Sequence, residues 1–160
     1  MQKSISIAFA LVFWALPLAA QTNIALGGLT VDTSAAVEVT ADNLAVDQAT
    51  GTAVFTGNVL IGQGDLRLSA DEVEIVYAAD SQKIARLLAS GGVTFVTATE
   101  AAEAQSADYD LEAGTLTLTG DVLLTQGASA ISAGTMIVNI EDGTAVMEGR
   151  VRTVLQQGNN

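Results

Sequence analysis

Apolar residues recur at every second position through most of this chain, as in Val37-Glu38-Val39, Leu66-Arg67-Leu68, Val73-Glu74-Ile75-Val76-Tyr77, Leu116-Thr117-Leu118 and Met136-Ile137-Val138-Asn139-Ile140. A period of two turns successive side chains to opposite faces, so it predicts strands with one buried face. Two stretches nearly repeat each other, VFTGNVLIGQG at 54–64 and TLTGDVLLTQG at 117–127. The central element recurs four times, as Gly57-Asn58-Val59, Gly91-Gly92-Val93, Gly120-Asp121-Val122 and Gly149-Arg150-Val151, at intervals of 34, 29 and 29 residues. A glycine inside a strand marks a bend or a bulge. A second set, Thr40-Ala41-Asp42, Ser69-Ala70-Asp71, Ser106-Ala107-Asp108 and Ser132-Ala133-Gly134, is predicted to open strands. Turn signals fall at Gln48-Ala49-Thr50-Gly51, Gln63-Gly64-Asp65, Glu112-Ala113-Gly114 and Glu141-Asp142-Gly143. Each unit is thus a set of antiparallel strands that buries its apolar face by stacking on the next.

Two segments resist the pattern. In residues 78–90, Asp80 is placed to cap a helix, and Ile84, Leu87 and Leu88 have helical spacing. The local pattern predicts a short helix there, whereas the repeat predicts a strand with Ile84, Arg86 and Leu88 on one face. Residues 99–107 read as a polar loop or a single helical turn.

Composition then narrows the class. Residues 1–20 carry Lys3, an apolar run from Ile5 to Leu18 and small residues at Ala19 and Ala20, the arrangement of a secretory signal peptide cut after Ala20. That run of 14 residues is shorter than the roughly 20 needed to cross a bilayer. Residues 21–36 are expected as an N-terminal extension, 37–156 as one β domain and 157–160 as a polar tail. No cysteine is present to form disulfides or to carry a lipid anchor, and the one proline is Pro17. Without Lys3, five basic residues face eighteen acidic ones, a net charge of −13 that repels nucleic acid and anionic membranes.

Catalytic chemistry has few carriers. The chain lacks histidine and cysteine, which removes Ser-His and Cys-His nucleophiles and the usual zinc ligand sets. Carboxylates alone can hydrolyse glycosides, but Glu72 and Glu74 lie on the polar face of an alternating strand, where solvated charge is the ordinary outcome. Asp71, and the group Asp108, Asp110 and Glu112, are the other carboxylate candidates for such chemistry. Gly62-Gln63-Gly64 lacks the third glycine and the helix of a dinucleotide fingerprint. No enzyme activity, cofactor or metal is expected. The apolar face itself is left, either as ordinary core or as a trough between two sheets that an apolar ligand fills.

The run Val37-Glu38-Val39-Thr40-Ala41-Asp42, followed by Phe55-Thr56-Gly57-Asn58-Val59, Gln63-Gly64, Ser69-Ala70-Asp71 and Arg150-Val151-Arg152-Thr153-Val154-Leu155, resembles the LptA/OstA-like family of periplasmic lipopolysaccharide-transport proteins. The resemblance implies an all-β fold, an open antiparallel β-jelly roll shaped as a bent trough. It implies a periplasmic bridge between an inner-membrane transport complex at the N-terminal edge and an outer-membrane translocon at the C-terminal edge. Lipopolysaccharide acyl chains would run along the interior, contacting Val37, Val39, Phe55, Val59, Ile61, Leu66, Leu68, Val93 and Phe95. A jelly roll that does not close leaves unpaired strands at about 37–42 and 150–155. Glu38 and Asp42 make the first acidic and Arg150 and Arg152 make the second basic, which favours a head-to-tail homo-oligomer. The alternative is a self-assembling structural β-repeat with no lipid ligand.

Overall fold

The computed structural model describes residues 22–25, 34–81 and 83–154; the expected signal peptide, most of the N-terminal extension and the tail lie outside them. Among the described residues the regular elements are all strands: β1 (Thr22–Ala25), β2 (Glu38–Thr40), β3 (Asn43–Asp47), β4 (Thr52–Gln63), β5 (Leu66–Tyr77), β6 (Ile84–Val96), β7 (Glu100–Asp110), β8 (Thr115–Gln126), β9 (Ser129–Asn139), β10 (Thr144–Glu148) and β11 (Arg152–Val154). They form one sheet in the order β1-β10-β9-β8-β7-β6-β5-β4-β2, with β3 also paired to β4 and β11 also paired to β9. Every pairing is antiparallel. The sheet is open, since β2 and β1 end the order without meeting.

Every long strand bends at the same level. Register shifts fall at 56–59, 69–72, 90–93, 103–106 and 119–122, so the irregularities line up across the sheet. At each bend a Gly-X pair takes two consecutive left-handed conformations: Gly57 and Asn58 at φ 83° and 48°, Gly91 and Gly92 at 83° and 76°, Gly120 and Asp121 at 86° and 46°, Gly149 and Arg150 at 77° and 51°. Glycine enters this region without steric cost, and Asn and Asp enter it more readily than other residues. The bend divides each strand into two arms. A single sheet buries one face only by folding on itself, and the inner residues of both arms form one buried cluster.

The second set of markers sits at these bends rather than at strand starts. Asp42 N donates to Gly57 O at 2.9 Å, and Asn58 Nδ2 donates to Asp42 Oδ2 at 2.8 Å. Asp71 packs against Gly91 at the next bend. In β7 the counterpart is Gln105, which packs on Gly120 and donates from Nε2 to Asp121 Oδ2 at 2.7 Å. Ser106-Ala107-Asp108, expected to open a strand, therefore lies one step past the bend within β7.

Two other expectations are corrected. Residues 84–90 are strand, not helix: Tyr77 pairs with Ile84 and Val76 with Arg86, so Ala85 is an extra residue that switches parity. Ile84 then packs against the core while Arg86 turns outward and pairs with Asp108 through Nε–Oδ1 (3.0 Å) and Nη2–Oδ2 (2.5 Å). Residues 100–107 belong to β7. Between Glu100 and Tyr109 its inward positions are Ala102, Ala104 and Ala107, too small to show as an apolar alternation in sequence but buried here.

Candidate functional site

The interior is built of rungs. Residues directly opposite on paired strands share a face, so the inward residues of successive strands form rows that cross the strands and run along the axis of the folded sheet. One row joins Val39, Ile61, Leu68, Phe95, Ala102, Leu124 and Ile131. On the other arm a row joins Leu44, Phe55, Val73, Ala89, Ala107, Leu118, Met136 and Met147. At the bend between them stand Val59, Ala70, Val93, Ala104, Val122 and Ala133, all buried. With strands about 4.8 Å apart, the rows give an apolar path of roughly 35 Å from β2 to β10.

All nine residues expected on the inward face lie in this interior. Val59, Ile61, Leu66, Leu68, Val93 and Phe95 are buried, and Val37, Val39 and Phe55 are partly buried against the same cluster. At the N-terminal edge the inner face is uncovered. Leu44 and Val46 share the face of their partners Phe55 and Ala53, yet they are 55% and 64% exposed. Val46, Thr52 and Tyr77 line a recess beside them. Buried Tyr109, farther along the same arm, has its phenol pKa raised by desolvation.

The charged edges are placed less simply than expected. Glu38 on β2 and Arg152 on β11 are exposed and face outward. Asp42 is occupied by Asn58 at a bend, and Arg150 is the left-handed residue of another. The C-terminal edge is not wholly unpaired: β1, from the N-terminal extension, lies antiparallel along β10, pairing Thr22 with Met147 and Ala25 with Thr144. β11 pairs with β9, and Val151 just before it and Val154 within it are 41% and 50% exposed.

The fold and this row-built interior have counterparts among known proteins. A family model described as "LptA/(LptD N-terminal domain) LPS transport protein" matches residues 38–159. This chain belongs to that family. The LptA/LptD N-terminal family match spans the whole sheet from β2 onward, and a solved member has the same fold. That structure is LptH of Pseudomonas aeruginosa, described as the LptA homologous periplasmic component of a lipopolysaccharide transport device; it superposes with a TM-score of 0.70 at 16% identity, covering 79% of this chain and 99% of LptH. An uncharacterised protein of Rhizobium meliloti (strain 1021) is 27% identical over 143 residues, 89% of this chain. The matched region is 64% of that relative's length.

Sequence reasoning missed one layer of the interior. Outside the row containing Ile61 and Phe95 comes another, nearest the hairpins at 64–65, 98–99 and 127–128, that carries polar Gln63, Thr97, Glu100 and Gln126 together with Leu66, the partner of Gln63. The repeated Gln-Gly of the opening phrase was its signal, since Gln63 and Gln126 keep the parity of the apolar residues two places before them.

Proposed function

We propose that this chain carries lipopolysaccharide through the periplasm, its acyl chains lying in the apolar interior, as one unit of a bridge between an inner-membrane complex and an outer-membrane translocon. The observation that carries this reading is the unbroken apolar path along the axis, uncovered at Leu44 and Val46. A chain of a dozen methylenes left in water costs on the order of 10 kcal/mol at ~0.8 kcal/mol per CH₂. A path that keeps it covered removes that barrier by binding alone, with no catalytic group. Val37, Val39, Phe55, Val59, Ile61, Leu66, Leu68, Val93 and Phe95 are the proposed contacts, and Leu44 and Val46 join them at the entrance. The acidic exterior keeps lipid phosphates off the outer walls.

Copies join head to tail, the β2–β3 edge of one against the β10–β11 edge of the next, so that the paths abut. A photo-crosslinking residue in place of Phe95, on the inner face, is expected to capture lipopolysaccharide, and one in place of Thr94, on the other face, is not. Equal capture at the two positions, or none at Phe95, overturns the reading in favour of a structural repeat without a lipid.

A further inference from the structure

The polar row above the apolar path has a chemistry that packing does not explain. Among the described residues three polar side chains are buried, Gln63, Thr97 and Glu100, and all three belong to it. Glu100 is the one charged residue among them, 4% exposed, in a protein whose other described carboxylates lie at least partly in solvent. Its position is set from several sides. Gln126 Nε2 donates to Glu100 Oε1 at 2.7 Å, Glu100 N donates to Thr97 Oγ1 at 3.2 Å, and Thr97 N donates to Glu100 O at 2.9 Å. The other carboxyl oxygen, Oε2, is buried and accepts no hydrogen bond. No arginine or lysine among the described residues pairs with it; the one ion pair there is Arg86 with Asp108 on the outer face.

A buried acceptor without a donor is unfavourable, and a ligand that brings a donor relieves it. We infer that Glu100 is a hydroxyl-recognition subsite: Oε2 accepts a hydrogen bond from a hydroxyl carried on an acyl chain lying in the adjacent apolar path. The chemistry favours a hydroxyl over an ammonium, because one open acceptor matches one O–H, whereas an ammonium brings three donors into a row with no second carboxylate. Phe95, Ala102 and Leu124 of the apolar row stand two residues from Thr97, Glu100 and Gln126 on the same strands, so one chain touches both rows. β7 lies midway along the sheet order, so the subsite fixes where along the axis a hydroxylated chain rests.

This inference rests on the acyl-carrying reading above, and one experiment separates the two. Displacement of a fluorescent fatty-acid probe from the full chain is measured with tetradecanoate and with its 2-hydroxy and 3-hydroxy derivatives. At least one hydroxylated acid is expected to bind more tightly than the parent by a factor of about three to ten, the size of one net hydrogen bond. In Glu100→Leu the preference is expected to vanish while tetradecanoate still binds, which also reports that the variant is folded. Binding of all three acids without preference in the unaltered chain, or a preference that survives in Glu100→Leu, overturns the subsite alone. No displacement by any of them overturns the acyl-carrying reading and the subsite with it.

Discussion

At the bends, Gly57 and Gly92 hold the first and the second left-handed position of their pairs, under different constraints. A Cβ built on Gly57 falls 2.6 Å from Asp42 Oδ2, at φ 83°, so Gly57→Val meets both a clash and a strained backbone. It is expected to lower stability by well over the ~1 kcal/mol of an average substitution, read as a drop in Tm. Gly92 has the same handedness but nothing within 4 Å, and its counterparts in the other units are Asn58, Asp121 and Arg150. Gly92→Asn is therefore expected to change stability by no more than about 0.5 kcal/mol; equal losses for the two variants would mean that the Asp42 contact is irrelevant. Tyr109 gives a different test. Burial raises its pKa above the ordinary 10.0, so the folded chain holds the phenol proton more tightly than the unfolded chain does. Its contribution is complete below pH 10 and is lost as pH rises above that value, where the unfolded state ionises first. Tyr109→Phe should flatten the alkaline fall in Tm, and an unaltered profile would remove Tyr109 as its cause.

The strands show what a period of two reveals and where it fails. The alternation at Leu66 and Leu68 and at Leu116 and Leu118 was legible because each inward residue is large and the residue between them, Arg67 or Thr117, is polar. β7 was hidden because the three inward residues between Glu100 and Tyr109 are alanines, and β6 because one extra residue at Ala85 reverses its parity partway. Of the interior, the nine inward positions were legible from alternation and resemblance. The polar row was not, because Gln63 and Gln126 beside glycine read as turn residues until their partners across the sheet are known. β1 was equally illegible, since four residues with no repeat signature give no hint that they pair with β10. That strand occupies backbone groups that another copy needs if it is to extend the sheet along β10. Deleting residues 22–25 is therefore expected to raise self-association, measured by light scattering over a concentration series. Unchanged or weaker association would place the contact between copies elsewhere.

Across the whole molecule, charge and backbone act at different ranges. In the proposed bridge Glu38 at one edge and Arg152 at the other orient approaching copies, but exposed pairs of this kind contribute only ~0.2–1 kcal/mol each. Continuity of the sheet supplies the rest, because an added strand brings backbone hydrogen bonds and extends the apolar floor. In the same proposal Glu100 gives that floor a reference point at mid-length. The aligned bends carry a further consequence. Because Gly91, Gly120 and Gly149 recur at intervals of 29 residues and place their bends at one level, the cross-section is set by each two-strand unit rather than by the chain's total length. Duplicating one such unit adds two strands, and so roughly 10 Å of folded sheet, without altering its cross-section. In the proposed bridge, a protein made this way is matched to the gap it spans by gene duplication, in steps the width of one hairpin.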